Sequence, residues 1–164
     1  MGLINSKSEV NEAVSVINSS YRTKTIEGTV IFTQKEDYVL IKIDIKGLKK
    51  NHLHGFHIHE SGDLREGCKS CCSHYNPQNT EHGGIDGGHA GDLGNIKTDD
   101  TGVCKISLKT DKFIVDNILG RSIIIHEDED DLGLGEFEDS KTTGHSGERI
   151  ACSIIGISKD GICK

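Results

Sequence analysis

Apolar and polar residues alternate along several short stretches of the chain, and residues 38–46 show this most clearly. Successive residues of a strand point to opposite faces, so this period of two predicts a half-buried antiparallel strand that ends at Gly47. One of its faces carries only the apolar side chains Val39, Ile41, Ile43 and Ile45. Similar or shorter apolar runs predict further strands over residues 13–18, 25–34, 55–60, 94–98, 102–108, 122–126 and 149–158.

Two long segments, residues 62–94 and 127–148, lack this periodicity and are rich in glycine. No stretch has the apolar spacing of an amphipathic helix of useful length. Short strands and two long loops predict an all-β fold, an eight-stranded Greek-key β-sandwich or flattened barrel of immunoglobulin-like type. We expect one domain over residues 12–158, a flexible N-terminal segment (1–11) and a C-terminal tail (159–164).

The 164 residues carry a formal net charge of −7, which disfavours nucleic acid and anionic membranes as partners because both need basic patches. No apolar run is long enough to cross a bilayer, so we expect no stable membrane association. The N-terminus lacks the basic start and apolar region of a signal peptide, which predicts a cytoplasmic protein. Gly2 and Ser6 fit an N-myristoylation pattern, but the pattern is short and a frayed terminus is the favoured interpretation.

Metal-ligating side chains are concentrated between residues 57 and 92. His57 and His59 are two apart on a predicted strand, so both imidazoles point to the same face and can reach one ion. Such a pair alone is usually incidental, but a glycine-rich loop with further ligand types follows it. These further ligands are His74, His82, His89 and Asp92. Three imidazoles and one carboxylate suit a tetrahedral zinc site, and the alternative is a polar loop with solvated histidines.

His126 ends a predicted buried strand, directly after the apolar residues 123–125. A lone histidine there is usually a satisfied core residue, but an antiparallel sheet can bring it beside His57 and His59. The chain then offers seven candidate ligands, whereas two four-coordinate ions need eight, and one imidazolate shared through both ring nitrogens would close the gap. An all-imidazole site favours copper(II) and a site with one carboxylate suits zinc, which indicates redox chemistry at the first ion and a structural role at the second.

From about Glu12 to Ile157, the sequence resembles the copper/zinc superoxide dismutase family. The matching strings are GFHIHE (55–60), GC (67–68), HYNP (74–77), EHGG (81–84), GHAGDLGN (88–95), IIIHEDEDDLGLG (123–135) and GERIACSIIGI (147–157). The resemblance implies an antioxidant enzyme that converts superoxide to oxygen and hydrogen peroxide at a copper centre bridged to a structural zinc. It also implies a homodimer through the last strand, where Ile154, Ile155 and Ile157 offer apolar side chains, and a copper chaperone as a candidate partner.

The resemblance implies roles for single residues. Copper would be held by His57, His59, His74 and His126, and zinc by His74, His82, His89 and Asp92. His74 would be the bridge between the ions and would take up a proton during turnover. Arg149 would dock the substrate anion, since its guanidinium stays protonated at physiological pH, and Thr143 would narrow the channel opposite it.

The remaining implied roles are structural. Asp130 would brace ligands of both ions, and His54 would lie behind the copper site. Cys68 and Cys152 would form a disulfide between the metal-binding loop and the last strand. The sequence assigns no role to the other four cysteines, which are Cys71, Cys72, Cys104 and Cys163.

The chain departs from the family pattern in the loops. Only six residues separate His82 from His89, two fewer than the resemblance leads us to expect. Residues 127–149 contain nine acidic side chains, with Asp128 and Glu136 where lysines that guide superoxide are expected. Like charge within a Debye length, about 8 Å at physiological salt, repels an anion, so we predict a slower enzyme with weak or inverted ionic-strength dependence.

A second hypothesis is a non-catalytic copper-binding or copper-transfer module of the same fold. Cys71 and Cys72 beside Cys68 favour it, because thiols are soft-metal ligands, although spare loop thiols are the simpler interpretation. Arg149 favours the enzyme, because a binding module needs no group that docks an anion.

Overall fold

The computed structural model describes residues 9–163, which form a β-barrel of nine strands with three helices of four residues each. The strands are β1 (Glu12–Tyr21), β2 (Lys24–Gln34), β3 (Val39–Lys46), β4 (Leu53–His59), β5 (Arg65–Cys68), β6 (Asp92–Lys97), β7 (Cys104–Thr110), β8 (Ser122–His126) and β9 (Arg149–Ile157). The helices are α1 (Val115–Ile118), α2 (Ser140–Thr143) and α3 (Lys159–Ile162), and a 3-10 turn covers Lys69–Cys71. Within residues 9–163, no helix has the length and apolar content needed to span a membrane.

Eight of the strands form one antiparallel sheet in the order β6-β4-β8-β9-β1-β2-β3-β7. The two edge strands, β6 and β7, follow each other along the chain, and Asp99 and Val103 pair across their short connection. The sheet therefore curls into a nearly closed barrel, which leaves little free edge. The prediction of an all-β, eight-stranded fold is confirmed.

Alternating burial explains why these segments are strands. In β3, the four apolar residues of one face are fully buried and every second residue is more exposed. Large apolar side chains of the other strands meet them inside the barrel, among them Ile17, Ile26, Phe32, Phe56, Ile58, Ile96, Ile123 and Ile155. Burying one such side chain contributes roughly 1.5–3 kcal/mol, so the register of each strand is set by its apolar face.

Several strand ends differ from the predicted ones. The β1–β2 turn is only Arg22–Thr23, whereas the predicted strands 13–18 and 25–34 left all of residues 19–24 to the turn between them. Ser19 and Ser20 remain in the ladder because backbone pairing does not require apolar side chains on an exposed hairpin. The first long loop also contains β5 and the 3-10 turn, and it ends at Asp92, where β6 begins.

The predicted N-terminal segment lies mostly outside the described residues, and Gly2 and Ser6 are among those not described. The amides of Glu9 and Val10 donate hydrogen bonds to the carboxylate of Asp116.

Candidate metal centre

Strand β4 and its neighbours bring the predicted ligands together. β4 lies between β6 and β8, and a bulge between Gly55 and His57 shifts its pairing with β6. Bulges redirect side chains, and here His57 and His59 both end buried on the same strand. His126 is the last residue of β8, and an isolated bridge pairs His74 with His59.

The predicted copper ligands His57, His59, His74 and His126 each offer a ring nitrogen, and these nitrogens lie within 4.8 Å of one another. All four rings are buried. The ring of His57 stacks on that of His74 with centroids 4.1 Å apart, and it meets that of His126 edge-on at 4.8 Å. The fold therefore gathers the four imidazoles into one cluster.

Backbone carbonyls orient two of these rings. His59 Nδ1 donates to the carbonyl of Cys72 at 2.9 Å, and His126 Nδ1 donates to that of Gly147 at 3.1 Å. A carbonyl only accepts, so Nδ1 carries the hydrogen in both rings and Nε2 keeps its lone pair.

The inward nitrogens of the cluster lack hydrogen-bond partners within the described chain. They are His57 Nδ1, His59 Nε2, His74 Nε2 and His126 Nε2. Buried polar atoms are normally paired, so four unpaired imidazole lone pairs in one buried cluster fit a metal ion, and an all-imidazole set suits copper(II). Burial lowers the pKa of His57, His59 and His74, and that of His126 to about 4, which keeps the rings neutral and able to ligate.

Asp92 is the centre of the second group. Its Oδ1 lies 2.8 Å from Nδ1 of His74 and 3.2 Å from Nδ1 of His89, and its Oδ2 lies 3.0 Å from Nδ1 of His82. Burial alone would raise the pKa of this carboxyl, but the three imidazoles hold it well below its usual range. His74 turns Nδ1 to this group and Nε2 to the other, which is the position that a bridge requires.

His82 differs electrostatically from the other rings. Burial lowers its pKa, but Asp130 and Asp92 outweigh burial and raise it to about 9. Its Nδ1 makes no hydrogen bond within the described chain, although it lies near Asp92. A metal ion at Nδ1 would take the place of the proton that this pKa implies.

By distance alone, the second group is His57, His74, His82 and Asp92, with ligand atoms within 4.8 Å. We assign His89 rather than His57 to it. The Nε2 of His57 is occupied by a 2.6 Å hydrogen bond to Asp130, whereas Nδ1 of His89 lies 3.3 Å from Nδ1 of His74. Asp92 therefore contacts all three of the predicted imidazoles, and one carboxylate with three imidazoles suits zinc.

Asp130 connects the two groups. Its Oδ2 accepts from His57 Nε2 at 2.6 Å, and its Oδ1 accepts from His82 Nε2 at 2.8 Å. Asn95 holds the backbone of Asp130 through two hydrogen bonds of 2.8 Å, one to its carbonyl and one from its amide. The carboxylate thus lies where the resemblance implied, and it determines which nitrogen of each ring is free.

The predicted supporting residues lie around this centre. His54 is buried and donates from Nδ1 to the carbonyl of His126 at 2.7 Å. The disulfide between Cys68 and Cys152 is present and ties the end of β5 to β9. Of the free thiols, Cys71 and Cys104 are buried, and Cys72 and Cys163 are exposed.

A cleft of about 600 Å³ leads to the centre, and Arg149 and Thr143 both line it. Its other lining residues are Glu60, Ser73, His74, Asn76, Asn79, Thr80, Glu81, His89, Lys141 and Thr142. The guanidinium of Arg149 donates to the carbonyls of Cys68 at 2.8 Å and Cys72 at 2.7 Å. Two of its five N–H groups are thus used for anchoring, which leaves three for an anion.

The carboxylates of the acidic loop do not line this cleft, although Lys141, Thr142 and Thr143 of the same loop do. In the part of the chain that the structure describes, the carboxylates lining the cleft belong to Glu60 and Glu81, and none comes from residues 127–149. Glu127 and Glu148 instead accept hydrogen bonds from the Tyr21 hydroxyl at 3.0 and 2.6 Å. The carboxylates of this loop would therefore act on an approaching anion from a distance and not by contact.

Three supporting groups were missed from the sequence. The carbonyls of Cys72 and Gly147 orient ligands, and no residue type signals a carbonyl's direction. Asn95 lies inside the matching string GHAGDLGN, but its contact with Asp130 joins residues 35 apart.

Comparison with known proteins agrees with this centre. The family model for copper/zinc superoxide dismutase matches residues 26–155. The Cu-Zn superoxide dismutase of Paramecium bursaria Chlorella virus 1 is 48% identical over 143 residues, covering 84% of this chain and 76% of the relative. The Cu-Zn superoxide dismutase of Candida albicans is 45% identical over 156 residues, which cover 90% of this chain and 99% of the relative. The crystal structure of the clock protein EA4 superposes with a TM-score of 0.85 at 36% identity, covering 96% of this chain and all of that one. With its fold, its two ligand groups and these matches, the chain belongs to the copper/zinc superoxide dismutase family.

Proposed function

We propose that this protein is a superoxide dismutase that converts superoxide to oxygen and hydrogen peroxide and so serves antioxidant defence. One observation carries the proposal: four unpaired imidazole nitrogens form a buried cluster whose member His74 lines the same cleft as Arg149. The named relatives from the Chlorella virus and Candida albicans support it.

The residues of each group define what it would hold. Copper would bind to His57, His59, His74 and His126, and zinc to His74, His82, His89 and Asp92. Copper supplies the one-electron redox chemistry that zinc and the side chains cannot provide.

Arg149 binds the substrate anion in this proposal. Its two hydrogen bonds to backbone carbonyls hold the guanidinium at the cleft wall, so little side-chain entropy is lost when an anion docks. Thr143 lines the same cleft, and Asp139 holds its hydroxyl through a 3.1 Å hydrogen bond, which restricts the space opposite Arg149.

His74 is the residue that we propose holds a proton during turnover, on Nε2. Nδ1 of this ring is tied to Asp92 at 2.8 Å, whereas Nε2 has no partner within the described residues. The ring also lines the cleft, so Nε2 lies near the path of the substrate and can pass a proton to it.

The test is superoxide dismutation by protein reconstituted with copper and zinc. We expect Arg149→Ala to lose part of the activity, because the anion still reaches the metal, and His126→Ala to lose nearly all of it. Arg65→Ala is the matched control, because this exposed arginine only pairs with Asp63. Full activity in His126→Ala would contradict the proposal.

The second candidate function is copper binding or transfer without catalysis. The specific observation that favours it is the exposed thiol of Cys72, whose backbone carbonyl orients His59. Family membership and the position of Arg149 do not favour it. Tight copper binding without dismutase activity in the same assay would support the second candidate.

We also propose that the protein forms a homodimer through β9. Ile154 and Ile157 are about half exposed there, at 47% and 46%, whereas Ile155 is fully buried in the barrel. Sedimentation of the wild type as a dimer and of Ile154→Glu as a monomer would support this, and a monomeric wild type would contradict it. Loading by a copper chaperone and a cytoplasmic location stay predictions, and acylation of Gly2 stays the less favoured alternative.

A further inference from the structure

The loop that begins at His82 presents two of the proposed zinc ligands, His82 and His89, without regular secondary structure, and a third, Asp92, begins β6 directly after it. The internal backbone–backbone hydrogen bonds of the loop are few. The amide of Gly87 donates to the carbonyl of Gly84 at 3.2 Å, and the amide of Asp92 donates to that of His89 at 3.1 Å. The position of the ligands therefore depends on contacts with the rest of the molecule.

The Asp92 carboxylate accepts from the loop amides of Gly83 at 3.0 Å and His89 at 2.8 Å, and one side chain from the barrel contacts four backbone carbonyls. Lys112 lies two residues beyond the end of β7, next to the buried Phe113. Its Nζ lies within hydrogen-bond distance of four loop carbonyls. These belong to Asp92 at 2.6 Å, Gly87 at 2.8 Å, His89 at 2.9 Å and Gly84 at 3.2 Å.

The chemistry of this contact is that of a cation held by carbonyl dipoles. An ammonium group has three N–H donors, so one of them is shared between two carbonyls. Among residues 9–163, Lys112 forms no ion pair with a carboxylate. Hydrogen bonds from a charged donor are stronger than neutral ones, and these four converge from a segment of nine residues.

We propose that Lys112 is a positioning residue for the zinc ligands His89 and Asp92, because its ammonium fixes the carbonyls of both ligands to the barrel. The inference rests on the proposed function in that this group takes zinc. With both backbones held from one point, Nδ1 of His89 and Oδ1 of Asp92 stay 3.2 Å apart before any ion binds.

The test compares Lys112→Met with Lys109→Met. Methionine keeps most of the length of the side chain and removes the charge, and Lys109 is an exposed lysine near the end of β7, over the ring of Tyr38. We expect zinc affinity, measured by competition with a chelator, to fall roughly 10- to 100-fold in Lys112→Met, as for other outer partners of metal ligands. Copper affinity should not change, and the absorption bands of cobalt(II) in the zinc site should shift. Lys109→Met should match the wild type.

Hydrogen exchange of the metal-free proteins separates this inference from the proposed function. Amides of residues 83–92 should exchange faster in Lys112→Met, whereas amides of the barrel strands should not. If the wild type binds no zinc, the proposed zinc site fails, and the exchange rates alone still decide the role of Lys112. Unchanged exchange in the loop, wild-type zinc affinity, or an equal loss of both metals would overturn the inference.

Discussion

Four of the proposed ligands have a second partner that determines which ring nitrogen is free. For His59 and His126 the partner is a backbone carbonyl, and for His57 it is the carboxylate of Asp130. Without these partners, each neutral imidazole could place its hydrogen on either nitrogen, and half of the arrangements would turn a donor toward the ion. The outer hydrogen bonds therefore prepare the site as much as the ligands do.

Replacing Asp130 with asparagine tests this. His57 and His82 donate to different oxygens of Asp130, and in asparagine one of these positions becomes an NH2 donor. We therefore expect affinity for both metals to fall roughly 10- to 100-fold. Asp131→Asn is the control, because the carboxylate of Asp131 bonds to Gly133 and Ser140. Competition with a chelator measures the affinity of each variant for copper and zinc. An equal loss of affinity in Asp130→Asn and Asp131→Asn would contradict the prediction.

The free thiols should differ in reactivity. Burial raises the pKa of Cys104 to about 11, so at pH 8 it is almost wholly protonated and shielded, and Cys71 is also buried. We expect iodoacetamide to modify Cys72 and Cys163 in the native protein, and all four free thiols after unfolding. Peptide mass spectrometry measures this, and labelling of native Cys104 as fast as Cys72 would contradict it.

At the scale of elements, the disulfide links the segment that orients the site to the strand that carries Arg149. Cys68 ends β5, Cys152 lies in β9, and the two are 84 residues apart. Arg149 donates to the carbonyl of Cys68 itself. The disulfide therefore fixes Cys68, whose carbonyl accepts from the Arg149 guanidinium, to strand β9 of the barrel.

Cys152→Ser should accordingly affect both stability and substrate binding. Removing a native disulfide of a small domain typically lowers the free energy of unfolding by about 2–5 kcal/mol. We expect a loss in this range when the wild type and the variant are unfolded in denaturant without reductant. Dismutase activity should fall because the acceptor of Arg149 becomes mobile. Cys163→Ser is the control, and an unchanged unfolding midpoint in Cys152→Ser would refute this.

For the whole molecule, the distribution of charge matters more than its total. The net charge is −7, yet the cleft is lined by two bases, Lys141 and Arg149, and two acids, Glu60 and Glu81. Of the loop carboxylates, Asp130 is enclosed by histidines, and Glu127 and Glu148 are bonded to Tyr21. The repulsion of an anion is therefore a long-range effect, which salt screens over about 8 Å.

We expect the dismutation rate to stay level or rise with ionic strength, because screening weakens the repulsion by the whole molecule. Lys141→Gln should lower the rate at low salt and make the rise steeper, since it removes one of the two bases of the cleft. Lys105→Gln, on the far strand β7, is the control. A rate that drops steeply as salt is added to the wild type would show that attraction dominates.

The sequence by itself determined the strands and the ligand types. Alternation in residues 38–46 and the apolar run before His126 are local patterns, and burial follows them directly. Imidazole and carboxylate are recognisable as ligands wherever the fold places them, so the sequence alone could nominate seven candidate ligands. The hairpin turn was placed wrongly because polar residues such as Ser19 and Ser20 can pair in an exposed ladder.

Only the tertiary structure decided which nitrogen of each ring is free, where the loop carboxylates point, and that Lys112 holds the loop of His89 and Asp92. These contacts join residues far apart in the chain, and many of them use backbone carbonyls, which every residue type has. A lysine after a strand is usually a solvated charge, and its sequence neighbours do not reveal four carbonyls around it. The reason is physical: the direction of a carbonyl depends on the path of the folded backbone and not on the identity of the residue.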